Sequence, residues 1–482
     1  MTTPIAEPRA TAPLADARPS GAPPAVPQAV IEAMARADAA ARGRRLGEAA
    51  GICSDVLATL PNHPPALALL GTLLGHRGET ARGIALLERA ITGDRKVALW
   101  HSNLATLYRF AYRFDEALDA TRTAVKLAPE KAAFLVNLGI AHFDRGESEN
   151  AVTCFLAALG RDQEHPAAHL ALGQALLARG DFAPGWLEYE WRNKIDQAKG
   201  MLPRMRAAPW NGMHLPKGRL LLVADQGFGD SFQFCRYVPR VVERAAEVVL
   251  GCSAELAPLL GTIPGLKAVY HRWRDIPPHT AYCLLSSLPL LFGTSVSSIP
   301  AEVPYLRPEQ ARRAAWAELL AATLPKAQLR VGLAWSGRAT HPNDRRRSLR
   351  LAQLAPLARL SNVTFLPLQP NVLPADAKPL AEWPNVVNVT EGLKDFAETA
   401  ALIANLDLVL TVDTSVAHLA GALCRDVWVM LPRPADWRWL SERQDSPWYP
   451  SMRLFRQPTP GAWDAVIAEV AEALAARRTR RS

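Results

Sequence analysis

The amino-acid sequence predicts an all-α repeat array followed by an α/β domain of two lobes. Two observations lead to this fold class. Small residues recur every 34 positions over roughly the first 190 residues, and from about residue 218 short apolar runs alternate with helical patterns. The chain has 482 residues, enough for two to four domains, and its 49% hydrophobic and 21% charged residues are typical of a protein with a full core.

The repeat is defined by two series of small residues, twelve positions apart. The first series is Ala37, Gly71, Ala105, Gly139 and Gly173, and the second is Ala49, Gly83, Ala117, Ala151 and Gly185. Small side chains at these positions let the two helices of a helix–turn–helix unit approach closely. Over residues 28–192 the pattern resembles the tetratricopeptide repeat (TPR) family, with about five units.

The resemblance to TPR arrays implies a concave groove that binds an extended protein segment. Four polar residues near the start of first helices are candidates for an acceptor groove: His101, Asn103, Asn137 and His169. The alternative, that the array only stabilises the rest of the chain, stays open.

Composition excludes several classes of protein. The net charge of +9 is modest for this length, and four of the positive charges lie in the last six residues. Because no aromatic-interleaved basic stripe accompanies them, we expect no nucleic-acid binding. Six scattered cysteines without metal-ligand spacing, no secretory signal and no apolar run long enough for a membrane span predict a cytoplasmic protein.

The second half of the chain contains two successive series of predicted parallel strands. The runs 219–224, 248–250 and 281–285 form the first series. The second series is 329–335, 363–368, 386–389, 406–412 and 427–431, and a closing helix is predicted over about 462–476. Two consecutive α/β lobes predict a ligand cleft that faces the carboxyl ends of the strands.

A glycine-containing loop follows the first of these strands. Gly227 and Gly229 would allow a tight turn and a close backbone approach to a ligand, with Gln226 in the same loop. Asp230 or Ser231 would cap the helix that follows, whose free N–H groups favour an anion. On the loop alone, Asp230 as a simple helix cap is the favoured interpretation.

The loop after residue 412 carries a more specific pattern. Asp413 ends the strand, Thr414 or Ser415 caps the next helix, and His418 lies one turn further on the same helix face. Hydroxyls, free N–H groups and an imidazole at one helix start could hold a diphosphate. A third loop, 336–348, contributes Ser336 and an arginine cluster with Arg345 and Arg346, which either binds phosphate or is a solvated basic loop.

Together the three loops resemble the heptosyltransferase group, glycosyltransferase family 9, of GT-B fold. Gly229 and Asp230 match its Gly-Asp motif, whose aspartate is the proposed general base. The segment 413–420, D-T-S-V-A-H-L-A, resembles its donor-phosphate motif, and the arginines of 338–347 fall where the family has a phosphate-contacting basic residue. The late segments D-W-R-W at 436–439 and S-P-W-Y-P at 446–450 depart from true heptosyltransferases. They resemble a TPR-fused branch, some of whose members glycosylate flagellin or other proteins, and the architecture is also similar to O-linked N-acetylglucosamine transferases.

The resemblance implies a domain plan, in which each lobe is Rossmann-like. A Pro/Ala-rich disordered tail covers 1–27, the TPR array 28–192, and a connector 193–217. The acceptor-side lobe covers 218–305, a linker 306–327, the nucleotide-sugar lobe 328–476, and a basic tail 477–482.

The resemblance also implies an inverting glycosyltransferase that moves a hexosyl, heptosyl or nonulosonic-acid group from a nucleotide sugar to a hydroxyl of a flagellin-like protein acceptor bound by the array. No Asp-x-Asp pair occurs from residue 193 onward, so we expect no metal and no other cofactor. The array should then be separable from the lobes. Two alternatives remain: a transferase for lipid-linked or polysaccharide acceptors, and a non-catalytic scaffold that senses nucleotide sugar.

Overall fold

The computed structural model describes residues 26–195, 205–324, 328–339, 341, 343–361 and 363–479. Most of the predicted tail, the middle of the connector, the end of the linker and the last three residues therefore lie outside the described part. The chain divides between Lys96 and Val97 into two compact units.

The first unit contains two helical pairs. Its helices are α1 (Gln28–Arg42), α2 (Leu46–Thr59), α3 (Pro64–His76) and α4 (Thr80–Gly93). A Cβ placed on Gly71 would lie 2.8 Å from the carbonyl oxygen of Gly83. Because real Cβ atoms essentially never approach so closely, the small residues of the two series do bring paired helices together, as the sequence predicts.

The second unit begins with three further helical pairs. They are α5 (Ala98–Phe110), α6 (Phe114–Leu127), α7 (Ala132–Asp144), α8 (Ser148–Arg161), α9 (Pro166–Arg179) and α10 (Phe182–Tyr189). The second helix of each of the five pairs in the chain begins 34 residues after the one before, at positions 46, 80, 114, 148 and 182. The predicted helical array is therefore present.

Two five-stranded sheets follow in the same unit. The first contains β1 (Ala208–Pro209), β2 (Leu215–Val223), β3 (Ala245–Gly251), β4 (Ala268–Tyr270) and β5 (Ala281–Leu284), in the order β1-β5-β2-β3-β4. The second contains β6 (Leu329–Ala334), β7 (Val363–Pro367), β8 (Leu408–Val412), β9 (Val427–Leu431) and β10 (Met452–Arg456), in the order β10-β9-β8-β6-β7. All the pairings are parallel, and the central strands are buried apolar runs.

Each sheet reverses its strand order beside one central strand. β2 has β3 on one side and β5 on the other, and β6 has β7 on one side and β8 on the other. In open parallel sheets, ligands bind outside the carboxyl ends of the strands at such reversal points. The loops after β2, β6 and β8 are the three that the sequence singles out.

Helices connect the strands of the two lobes. The α-helices of the lobes are Phe228–Phe234, Val238–Val242, Ala257–Leu260, Leu288–Leu291, Gln310–Thr323, Asp344–Arg347, Ala355–Ala358, Pro374–Glu382, Phe396–Ile403, Ser415–Ala422 and Trp463–Thr479. The last of these is the predicted closing helix.

The strand prediction is wrong in one place and incomplete in three. Residues 386–389 form only a single bridge, Phe365 to Val386, because two asparagines and a proline interrupt the apolar run. The edge strands β1, β4 and β10 were not predicted. β10 carries Arg453 and Arg456, so it lacks the continuous apolar pattern of a buried strand.

An aromatic cluster joins the last repeat to both lobes. Trp186 of α10 packs against Trp437 and Trp448, with ring centroids 5.3 and 6.4 Å away. Its indole N–H donates to the carbonyl oxygen of Thr294, 2.9 Å away. All three indoles are buried, so α10 belongs to the same hydrophobic core as the lobes.

Candidate functional site

The site is formed where two helix starts meet. The helix Phe228–Phe234 follows β2, and the helix Ser415–Ala422 follows β8. A Cβ on Gly229 would lie 2.8 Å from Cδ2 of His418. The two loops that carry the Gly-Asp pair and the histidine are therefore in direct contact across the lobes.

Asp230 lies at the third position of its helix. Its Oδ2 accepts the Gly227 N–H at 3.0 Å, while its Oδ1 accepts from the Arg438 guanidinium. The residue at the N-cap is Gly227, so neither Asp230 nor Ser231 is the N-cap that the sequence suggested. The Asp230 side chain is 20% exposed, and each carboxylate oxygen keeps a lone pair for a further donor.

The glycines of this loop serve a different purpose from the predicted one. Gly227 has φ −68° and Gly229 is not in a left-handed conformation, so neither provides a turn that other residues could not adopt. Gly229 is required by the close approach to the imidazole of His418. Gln226 donates to the carboxylate of Asp225, 3.4 Å away, a contact within the loop.

Arg438 is the central cation of the site, and the sequence analysis did not propose it. Besides Asp230, its guanidinium donates to Asp436 Oδ1 at 2.7 Å and to Gln233 Oε1 at 2.9 Å. The neighbouring carboxylates hold the pKa of Arg438 well above its usual value, against the opposing effect of burial. The sequence signal that could have identified Arg438 is the D-W-R-W segment at 436–439, which departs from the family pattern.

The turn Trp437–Trp439 brings three parts of the molecule together. Trp437 contacts the last repeat, Arg438 binds Asp230, and the Trp439 ring stacks on His418 with a centroid separation of 5.2 Å. The three consecutive side chains of this turn therefore contact the array, the loop of Asp230 and the helix of His418.

His418 is buried and tightly packed. Burial lowers its pKa well below 6.5, and the nearby cations Arg438, Arg236 and Arg347 lower it further, so the imidazole is neutral at pH 7. Its Nδ1 lies 2.9 Å from the Tyr449 hydroxyl. A hydroxyl that donates to Nδ1 places the ring proton on Nε2, on the edge that faces Gly229.

The start of the second helix has the predicted cap. Thr414 is the N-cap, and its hydroxyl accepts the Val416 N–H at 3.3 Å. Ser415 is half-buried and begins the helix. Asp413 is buried, and burial together with the charge of Asp436 raises its pKa to about 6, although Arg347 and Arg438 act in the opposite direction.

The three consecutive arginines of the third loop, 345–347, separate into two groups. Arg346 makes hydrogen bonds to Asp144 at 2.6 and 3.0 Å, and the Arg345 guanidinium lies 5.5 Å from the centre of the Phe110 ring. The two predicted phosphate ligands of this cluster are therefore occupied by the repeat helices. Arg347 instead lies near Asp413 and His418, and its charge lowers the pKa of both.

Ser336 supports this loop from the end of β6. Its N–H donates to Gln369 Oε1 at 3.1 Å, and its hydroxyl accepts from Gln369 Nε2 at 3.0 Å. Gly337 donates to the Ser348 hydroxyl at 2.9 Å. These contacts close the loop on itself and fix both of its ends.

All four predicted groove residues make contacts with other groups. Both ring nitrogens of His169 have partners, Glu188 and the Gln163 carbonyl, and the ring stacks on Trp191 at 3.7 Å. Asn137 donates to the Ser102 hydroxyl at 2.7 Å. His101 and Asn103 are half-buried on α5 and also make contacts. None of the four presents a freely available side chain, so their role as acceptor ligands stays a prediction.

Within the described residues, no helix is long and apolar enough to cross a membrane. The same residues contain no group of three or more histidine, cysteine or acidic side chains suited to a metal ion. The expectation that the chain needs no metal or other cofactor stays a prediction.

Comparisons with known proteins agree with the repeat array. The tetratricopeptide repeat model matches residues 102–152 and 137–183. Protein FlbA of Caulobacter vibrioides is 27% identical over 441 residues, which cover 84% of this chain and 72% of that protein. The chain thus contains tetratricopeptide repeats, and such repeats suggest protein–protein interaction.

Two solved structures are also similar to about a third of the chain. A thermophilic TPR protein of Thermus thermophilus is 17% identical, with a TM-score of 0.32, and the match covers 35% of this chain and 92% of that one. MamA from Desulfovibrio magneticus is 17% identical, with a TM-score of 0.32, over 36% of this chain and 99% of that one.

Proposed function

We propose that the chain is an inverting glycosyltransferase that transfers a sugar from a nucleotide sugar to a hydroxyl of a protein acceptor recruited by the repeats. The observation that carries the proposal is the contact of the Asp230 loop with the His418 helix. Both loops follow central strands of parallel sheets at reversal points, where such folds bind ligands. A facing pair of such lobes is the GT-B arrangement that the motifs resemble.

Asp230 is suited to accept the proton of the acceptor hydroxyl. In the transfer, the acceptor oxygen forms a bond to the anomeric carbon as the bond to the donor phosphate breaks, and the hydroxyl proton passes to the carboxylate. Arg438 and the Gly227 N–H fix the orientation of this carboxylate. A base held by two fixed partners needs little reorganisation in the transition state.

The start of the helix Ser415–Ala422 is suited to the donor phosphate. Its free N–H groups, the Nε2–H of a neutral His418 and the charge of Arg347 would stabilise the leaving phosphate. Arg347 replaces Arg345 and Arg346 in this role, because the other two contact the repeats.

A second candidate is a scaffold that binds nucleotide sugar without transferring it. The observation that favours it is that both oxygens of the Asp230 carboxylate already accept a hydrogen bond, one from Arg438 and one from Gly227. The TPR match by itself fits either function. Turnover by the purified chain, or its absence with a bound donor, distinguishes them.

The donor can be identified by thermal shift. A panel of nucleotide sugars is added to the full chain, and the melting temperature is recorded for each. A ligand at 100 times its Kd stabilises the folded state by about 2.7 kcal/mol, so a matching donor stands out clearly. No stabilisation by any nucleotide sugar would contradict both candidates.

The role of His418 can be isolated by comparing ligands. We expect His418→Ala to weaken binding of the donor and of its nucleotide product alike by about 10- to 150-fold, since a hydrogen bond to a charged group contributes roughly 1.5–3 kcal/mol. The free nucleoside should bind unchanged. Tyr449→Phe keeps the ring but removes the hydroxyl that contacts Nδ1, together with its hydrogen bonds to Tyr305 and Arg236, and is the control for packing, with a smaller loss of the same ligands. Equal losses for nucleoside and nucleotide in calorimetric titrations would assign His418 to packing alone.

Donor binding should depend on pH through Asp413. Its pKa of about 6 means that the carboxyl is charged at pH 7.5 and largely neutral at pH 5.5. Because a buried negative charge repels phosphate, affinity for the donor should rise as the pH falls through 6, by roughly tenfold, or about 1.4 kcal/mol. Asp413→Asn should bind with the higher affinity at both pH values. A pH profile that is the same in the variant and the natural chain would exclude this cause.

A further inference from the structure

Five turns of the repeat array contain a left-handed residue, and in two of them this residue is not glycine. The residues lie between the helices of each pair at 34-residue spacing: Arg44, Gly78, Tyr112, Gly146 and Gly180, with φ between 58° and 103°. Glycine adopts this conformation without strain, whereas other residues are destabilised by about 1 kcal/mol or more. Of the two exceptions, Tyr112 also makes a contact outside its own repeat.

Tyr112 contacts the arginine loop of the nucleotide-sugar lobe. Its hydroxyl donates to the carbonyl oxygen of Arg345 at 3.2 Å. Two flanking aromatic residues extend this contact: Phe110 lies beneath Arg345, and Phe114 beneath Arg346, with guanidinium-to-ring distances of 5.5 and 5.3 Å. The α5–α6 turn thus holds the helix Asp344–Arg347 along one side.

A buried ion pair anchors the same helix to the next repeat. Asp144, at the end of α7, is 3% exposed and accepts both terminal nitrogens of Arg346 and the Nε of Arg109, 2.5 Å away. Burial alone would raise the pKa of Asp144, but the two guanidinium groups lower it below its usual value. The carboxylate is therefore charged at neutral pH and binds Arg346 on two atoms.

Arg347 is the next residue and points the other way. A Cβ on Gly337 would lie 2.7 Å from its terminal nitrogen, which shows how closely the guanidinium packs against the loop after β6. Its Nε is buried without a hydrogen-bond partner among the described residues and forms an ion pair with Asp344 Oδ1, 3.7 Å away. Because the helix Asp344–Arg347 is short, contacts that hold Arg345 and Arg346 also fix the backbone of Arg347 and the direction of its Cα–Cβ bond.

We propose that Tyr112, Asp144 and Arg346 are positioning residues that hold the arginine loop so that Arg347 faces the donor phosphate. The proposal rests on the proposed function for the identity of the ligand. The third and fourth repeats are then part of the donor site in addition to any role in binding a protein.

The first test is the variant Tyr112→Gly in the full chain. It introduces the glycine that three of the other repeats have at this position, so it removes strain and should melt at the same temperature or above. We expect amide hydrogen exchange in residues 343–350 to speed up about fivefold, as loss of one net hydrogen bond implies. Binding of inorganic pyrophosphate should weaken by roughly tenfold, because Arg347, which is proposed to contact the phosphate, is no longer held in position.

Two further variants complete the test. Arg44→Gly makes the same backbone change in the first repeat and should alter neither measurement. Asp144→Asn should increase exchange in the loop more than Tyr112→Gly, although it also leaves buried cations unpaired and lowers stability.

The outcomes separate the two proposals. Unchanged exchange in residues 343–350 of Tyr112→Gly overturns the positioning role, whatever the ligand. If the natural chain binds neither pyrophosphate nor any nucleotide sugar, the proposed function fails, while faster exchange would still support the anchoring of the loop. Faster exchange with unchanged pyrophosphate affinity overturns the link from the repeats to the phosphate.

Discussion

Asp230→Asn is expected to lower turnover by about 10²–10⁴-fold, the usual range for the loss of a general base. The variant keeps the size of the side chain and an oxygen for the Gly227 N–H. It removes the atom that would accept the proton of the acceptor hydroxyl. Donor affinity, measured by calorimetry, should change little, because the proposed phosphate site lies at the start of the other helix.

Asp230→Asn should also lower the stability of the fold. The Asp230 carboxylate pairs with Arg438, which is largely buried. Arg438 keeps Asp436 and Gln233 as partners, so we expect a loss of roughly 1–3 kcal/mol, less than for a fully broken buried pair.

Asp436→Asn provides the matched control. It removes the other carboxylate from the same guanidinium and should cost similar stability, but it leaves Asp230 in place. If the two variants lose turnover equally, the effect of Asp230→Asn comes from the disturbed ion pair, and the base assignment is wrong. Turnover near normal in Asp230→Asn would favour the non-catalytic scaffold.

Much of the fold could be predicted because it depends on local periodicity. The 34-residue spacing of small residues located five helical pairs, and apolar runs located the central strands β2, β6, β8 and β9. Edge strands such as β10 were missed because a strand with one exposed edge tolerates charges. The run 386–389 shows the converse error. Its valines favour a strand, but the asparagines and the proline in this segment limit the pairing to a single bridge.

The site was predictable only where its residues lie in one motif. Asp230 and His418 were found from their own loops, but Arg438 lies far from Asp230 in the sequence and reaches it only through the fold. The three adjacent arginines were indistinguishable in sequence. Their roles depend on Asp144 and Phe110, which lie in repeats about 200 residues earlier.

Removal of the repeats should have the second large effect. The sequence suggests that the array is separable from the lobes, but α10 packs Phe182, Trp186 and Tyr189 into the core of the lobes. Without these three residues, Trp437 and Trp448 become exposed to solvent. Aromatic residues bury roughly 150–250 Å² each, so at about 25 cal/mol per Å² even partial exposure of two indoles costs several kcal/mol.

The same truncation also leaves two buried charged side chains without their ion-pair partners. Asp225, at the end of β2, faces Arg192 at 3.8 Å, and Arg346 depends on Asp144. Loss of one member of a buried pair typically costs about 3–5 kcal/mol, and the total stability of a domain is only about 5–15 kcal/mol. A chain beginning at residue 194 is therefore expected to aggregate or to melt without a cooperative transition.

A chain beginning at Val97 is the informative comparison. It starts at the boundary between the two compact units and keeps α5–α10 with the aromatic cluster and both ion pairs. We expect it to melt cooperatively and to bind the donor with the affinity of the full chain, as measured by calorimetry. Loss of protein-acceptor glycosylation in this chain would assign acceptor recruitment to the first two repeat pairs, because the donor site is then intact. If instead the chain beginning at residue 194 folds and binds the donor normally, the last repeats are not part of the core, and the positioning of Arg347 by Tyr112 and Asp144 fails with them.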